Sequence, residues 1–152
     1  MMIGIYSAIP NLIGVIGMVL IGRSSDRHKE RRWHFFACVL IAAIGLGITT
    51  VTQGNFIASL AGLSFAVIGI AAATPLFFTI TTEYLSKAAA AGGIALVSSL
   101  GNLGAAVSPA VTGAITASTG SPVYSMYLVM ALYVLSGVIL MIAVRAARAK
   151  TG

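Results

Sequence analysis

The chain has 152 residues, of which 59% are hydrophobic and 8% charged. An ordinary soluble domain carries roughly a quarter charged residues, so this composition excludes a self-contained soluble core and points to lipid as the solvent. The net charge of +6 is gathered into one loop, one helix junction and the tail, which argues against a nucleic-acid-binding surface.

A lipid-spanning helix needs roughly 20 mostly apolar residues. Five stretches meet this, at about 2–22, 33–52, 56–80, 90–117 and 124–144. A transmembrane β-barrel would show strands of about ten residues alternating apolar and polar. The runs Leu12 to Ile21 and Leu128 to Val144 are continuous instead. The pattern predicts an all-α integral membrane protein, because a helix satisfies its own backbone hydrogen bonds.

The first span holds Pro10, Gly14, Gly17 and Gly22, small residues that let helices approach closely in lipid. The segment from Gly22 to Arg32 reads GRSSDRHKERR, the densest charge cluster in the chain, and is expected to form a loop. Trp33 and His34 open the second span, Trp being enriched at membrane interfaces. The single cysteine, Cys38, lies in that span and reads as a small packing residue. Thr52 to Asn55 is a tight reversal, so spans two and three form a helical hairpin.

Span three carries Pro75, which removes one backbone hydrogen bond and can kink the helix. Its polar end, Thr79 to Glu83, leads to the membrane surface, where Glu83 is either solvated or paired with Lys87 one turn on. In span four, Ser98, Asn102, Ala105 or Ala106, and Pro109 share one face by helical spacing. An amide near mid-bilayer needs a partner. Asn102 is expected to make either an interhelical hydrogen bond or a substrate contact. Ser118 to Pro122 is a turn by composition. Tyr124 and Tyr127 then mark the second interface, and span five is plainly apolar, facing lipid or supporting its neighbours.

Arg23, Arg27, Lys29, Arg31 and Arg32 fall between spans one and two, Lys87 between three and four, and Arg145, Arg148 and Lys150 in the tail. With five spans, all nine basic residues lie on one side. The positive-inside rule then places the tail in the cytoplasm and residue 1 outside. No signal-peptide pattern precedes the first span, and an outside start of this kind implies preceding sequence.

No catalytic constellation, phosphate loop or base-reading motif is visible. His28 and His34 lack the spacing partners of a metal site. No Asp, Glu, Lys or Arg lies deep in any span. Intramembrane ionisable residues are the usual carriers of ion and proton coupling, so a site built from this segment is expected to be neutral.

Three stretches carry a resemblance. Residues 22–32 resemble the cytoplasmic loop motif of the major facilitator superfamily, G-x-x-x-D-R-x-G-R-R. They are closer to its second copy in the anion:cation symporter branch, G-R-x-S-D-R-x-x-E-R-R-x-H, with His34 in the last position. Phe77 to Leu85 (FFTITTEYL) is similar to that branch's F-W-x-x-P-x-E-F-L. Ala89 to Gly104 is similar to A-A-A-x-G-I-A-L-x-N-S-x-G-N-L-G-G, continued by Ser108-Pro109 and Thr119 to Ser121. Phe78 stands where the branch usually has Trp, and Thr81 where it has Pro.

The resemblance implies helices eight to twelve of a twelve-helix fold, with residues 1–152 a partial C-terminal half and the N-terminal helices missing. The full fold has two six-helix halves with the substrate between them. It implies a cytoplasmic gate at Gly22, Asp26, Arg27, Arg31 and Arg32, with Asp26 as acceptor and the arginines as donors. It implies substrate contacts from Asn102 and Phe78, with Thr74, Ser98 and Ser99 as further candidates. The implied activity is import of a small organic anion, such as a sugar acid, an aromatic acid or tartrate, across a bacterial inner membrane. No cofactor is expected; protons are the implied coupling ion, and the charged chemistry lies mainly in the N-terminal half. The alternatives are a truncated or accessory membrane protein without transport activity, and a drug exporter of the same superfamily.

Overall fold

The computed structural model describes the backbone of residues 2–151 and the side chains of 8–86 and 88–146. The chain forms five α-helices in order: α1 (Met2–His28), α2 (Arg31–Val51), α3 (Phe56–Tyr84), α4 (Lys87–Thr119) and α5 (Val123–Thr151). Each contains a stretch long and apolar enough to cross a membrane, so this is a membrane protein. Antiparallel succession puts residues 29–30, the α3–α4 junction and the end of α5 at one end of the bundle, here the basic end.

The helices outrun the apolar spans. The segment expected as an eleven-residue loop is helical up to His28, and only Lys29 and Glu30 separate α1 from α2. At about 1.5 Å per residue, α1 is roughly 40 Å long, longer than a hydrocarbon core of about 30 Å. A helix keeps its backbone bonds wherever its side chains lie, so polarity alone does not end it. Lys29 ends α1 by turning into the left-handed region, at φ 52, a conformation uncommon outside glycine. The Thr52–Asn55 reversal forms as expected, and the Asn55 side chain caps α3 by accepting from the Ala58 amide at 3.2 Å. Ser86 caps α4 in the same way, and α3 runs unbroken through Pro75.

Small residues set the packing. A Cβ on Gly45 would stand 2.6 Å from the Gly62 carbonyl oxygen, and one on Gly69 would stand 2.6 Å from the Ala42 amide nitrogen. The α2 and α3 backbones therefore cross in direct contact, with Cys38, Ala42, Ala66 and Ala72 buried beside the crossing. Gly14 and Gly17 of α1 receive Val67 and Ile68 of α3, whereas Gly22 meets open space. On the other flank, Leu140 and Val144 of α5 join Phe35, Val39, Leu76 and Ile80 in the apolar core. Helix α4 stands apart: Leu96, Leu100, Leu103 and Val107 are all exposed.

In lipid, helices are held by packing and interhelical contacts rather than by apolar burial from water. Gly69→Ala should therefore lower bundle stability by about 1–3 kcal/mol through overpacking. Gly101→Ala, where nothing lies within 4 Å, should shift it by less than about 0.5 kcal/mol. Detergent-titrated unfolding of the two variants measures the difference, and equal stabilities would contradict the backbone crossing.

Candidate functional site

At the basic end, Arg31 is the first residue of α2 and reaches in two directions. Its Nη2 lies 3.1 Å from Asp26 Oδ1, near the end of α1. Its Nη1 pairs with Glu83 Oε1, near the end of α3. One guanidinium thus ties three helices together. Its forked, planar donors suit two carboxylates at once. Arg31 is 28% exposed, against 71% for Asp26 and 49% for Glu83, so solvent screens both pairs, the Asp26 pair more strongly. Arg31 Nε is buried with no hydrogen-bond partner among the described residues.

Around this bridge, Lys29, Glu30, Arg32, Ile80, Tyr84 and Val144 help line a cavity of about 100 Å³. The turn is braced by its histidines. His28 Nδ1–H donates to the Ser24 carbonyl and His34 Nδ1–H to the Glu30 carbonyl, each at 2.9 Å. His34 Nε2 is then left to accept from Ser24 Oγ at 3.3 Å. The Ser24–His34 bond joins the end of α1 to the start of α2 across Lys29 and Glu30, while the other two lie within one helix end each.

Of the expected gate residues, the structure brings Asp26 and Arg31 together. Arg27 is exposed and Arg32 half-buried, and neither makes an ion pair among the described residues. Glu83 was expected to be solvated or paired with Lys87. It is about half exposed and pairs with Arg31; a pairing with Lys87 falls on a side chain outside the described residues, as those of Arg148 and Lys150 also are. The Arg31–Glu83 pair joins residues 52 positions apart, so no local spacing announces it. The available signal was that Glu83 is the one acidic residue beyond the charged loop.

The expected substrate residues fall into two sets. On α3, Thr74 is exposed and donates to the Ile70 carbonyl at 3.1 Å. Phe78 is half-buried, edge-on to Phe77 at a centroid distance of 5.8 Å. On α4, Ser98 is half-buried, while Ser99 is exposed and donates to the Ala95 carbonyl at 2.8 Å. Asn102 is exposed, and no hydrogen bond reaches its side chain among the described residues. The two sets sit on helices that barely touch.

Residues 1–152 match the Major Facilitator Superfamily. The chain belongs to that superfamily, a family of membrane transporters. It is 39% identical over 78% of its length to the "Putative metabolite transport protein NicT" of Pseudomonas putida, covering 27% of that protein. It is 38% identical over 95% of its length to a "Putative tartrate transporter" of Agrobacterium vitis, covering 33% of it. It is 33% identical over 91% of its length to a "Quinolone resistance transporter" of Acinetobacter baumannii, covering 31% of it. The chain thus spans about a third or less of the curated relatives it matches. No solved structure matches it significantly.

The unequal exposure of the two carboxylates yields an expectation. A double-mutant cycle on Arg31→Gln and Glu83→Gln should give a coupling of about 0.5–1 kcal/mol, and one on Arg31→Gln and Asp26→Asn less than that. Detergent unfolding of the single and double variants measures both; a larger Asp26 coupling would contradict the geometry.

Proposed function

We propose that this chain supplies helices eight to twelve of a proton-coupled organic-anion importer of the anion:cation symporter branch. Its basic end then faces the cytoplasm of a bacterial inner membrane, and seven preceding helices complete the transporter. The observation that carries the reading is the Arg31 bridge. It joins the aspartate of the first motif segment to the glutamate of the second, fastening three helices at one end of the bundle. In a transporter that alternates between open sides, such a fastening favours the state closed at that end. Opening would separate Arg31 from at least one carboxylate. Asp26 and Arg31 are the core of the proposed gate; Gly22, Arg27 and Arg32 flank it.

The substrate class rests on the motif resemblance and on the relatives named as tartrate transporters. In this reading α4 contributes Asn102, Ser98 and Ser99 to the central cavity, and α3 contributes Phe78 and Thr74. Asn102 is the strongest of these, because its amide is exposed and has no hydrogen-bond partner among the described residues. The described side chains of the spans present no charge at depth, which agrees with a counter-charge for the anion and a proton carrier lying mainly in the N-terminal half. The relative named as a quinolone resistance transporter favours a second reading, export of a drug by the same fold.

The test is transport by the complete reading frame reconstituted in proteoliposomes. Uptake of labelled tartrate or another sugar-derived acid, driven by an imposed proton gradient and abolished by an uncoupler, is the expected result. Quinolone efflux without acid uptake would replace the first reading with the second. Within that assay, Asn102→Ala should raise KM about tenfold, the loss of one hydrogen bond to a charged ligand. Asp26→Asn should shift the resting population toward the inward-open state. Cysteines engineered on the two faces report this by their labelling rates, and unchanged rates on both faces would remove Asp26 from the gate.

A further inference from the structure

The small cavity beside the Arg31 bridge joins a charged rim to an apolar base. Lys29, Arg31 and Arg32 line it together with Glu30 and Glu83. The buried side chains of Ile80 and Val144 supply its apolar part. Arg31 and Arg32 come just before the apolar run of α2, and Glu83 just after that of α3, so the cavity lies at the boundary between hydrocarbon and water. Its volume of about 100 Å³ gives room for roughly three waters at about 30 Å³ each, or for one tetrahedral oxyanion in their place.

The charges around it are unevenly matched. Glu83 is committed to Arg31 Nη1, and Glu30 is exposed at the turn. Lys29 and Arg32 make no ion pair among the described residues. Two cations thus stand at the cavity without a carboxylate in contact.

The Arg31 guanidinium itself has an opening. Its Nε–H and one Nη2–H point the same way along one edge of the planar group, a fork that matches two oxygens of a phosphate. Asp26 uses this edge at one point only, through Oδ1 to Nη2 at 3.1 Å. Nε is buried and has no hydrogen-bond partner among the described residues, and a buried donor left unpaired is costly. The edge is therefore half used, by a carboxylate that is 71% exposed. Nη1, which holds Glu83, is not on that edge. Tyr84 also lines the cavity. Its phenol makes no hydrogen bond among the described residues and offers a neutral donor.

We infer that this cavity is a binding site for a phosphate group, held in a fork by Nε and Nη2 of Arg31. Lys29 and Arg32 supply charge, and Tyr84 a hydrogen bond. The phosphate takes the edge from Asp26 and leaves the Glu83 pair in place. A phospholipid headgroup and a soluble phosphate share this chemistry. The inference goes beyond the transporter reading and does not rest on it.

The experiment measures binding by the complete protein in two arms. In the first, detergent-solubilised protein is titrated with phosphatidylglycerol, or with diacylglycerol as the phosphate-free comparison, and bound lipid is counted by native mass spectrometry. In the second, inorganic phosphate is titrated and followed by phosphorus NMR line broadening. Binding in the first arm alone assigns a headgroup; binding in the second assigns a soluble phosphate. In the arm that binds, Lys29→Gln and Arg32→Gln should each weaken binding several-fold. So should Arg31→Lys, which keeps the charge and loses the fork. Arg23→Gln, which removes an exposed charge of α1 that does not line the cavity, should leave binding unchanged. Asp26→Asn should strengthen it several-fold by removing the competitor for the edge, a gain that misfolding cannot mimic. The site is overturned by no binding in either arm, by diacylglycerol binding as well as phosphatidylglycerol, by an equal loss in Arg23→Gln, or by no gain in Asp26→Asn.

Discussion

The crossing of α2 and α3 is the contact on which the rest of the bundle depends. In lipid, apolar surface gains nothing by leaving the solvent, so two helices stay together only if their backbones come close enough for dense packing. Gly45, Gly62 and Gly69 allow this, because no Cβ holds the chains apart. Once α3 is fixed, α1 finds its place through Gly14 and Gly17. Once α2 is fixed, α5 docks through Gly137, which lies against Phe36 and Val39. The Arg31 bridge is built on this frame. The carboxylates of α1 and α3 reach the start of α2 because the three helices converge there.

A second constraint concerns polar groups at depth. The spans are rich in serine and threonine, and many of these hydroxyls donate to a carbonyl three or four residues back on their own helix, as Thr49, Ser64 and Thr79 do. Such bonds make a polar residue tolerable in hydrocarbon and also silence it toward neighbours. Exceptions occur at the bundle ends. Ser59 bonds across the α2–α3 turn, and Ser125 links α5 to α4. These two polar contacts lie toward the bundle ends, while the α2–α3 crossing is held by close backbone packing.

Much of this architecture was legible in the sequence. The apolar runs gave the number and order of the helices, because a bilayer sets the length of each. Gly14 and Gly17 of α1, though not Gly22, and the short reversal at Thr52 to Asn55 also read correctly. The helix ends did not. Hydropathy marks where lipid stops, not where a helix stops, so residues 22–28 read as loop although they continue α1. The Asp26–Arg31 pair was within reach of sequence, being five residues apart and part of a motif. Glu83 was not, because its partner is set by the crossing of α2 and α3. The substrate candidates illustrate a different limit. Thr74 and Phe78 on α3 and Asn102 on α4 belong to helices with little mutual contact, so this bundle does not bring them together.

The two-residue connection at Lys29 and Glu30 carries a consequence of its own. Arg31 begins α2 directly after the left-handed Lys29, so its direction is indexed to the helical screw. One residue inserted into α2 between Arg31 and the Gly45 crossing would swing the guanidinium about 100° around the helix axis, away from both carboxylates. A side-chain bond from Ser24 to His34 also spans this turn. The connection therefore behaves as a gauge block rather than a tether: its length sets where Arg31 stands relative to both carboxylates, and substitution is easier to accommodate there than any change in residue count.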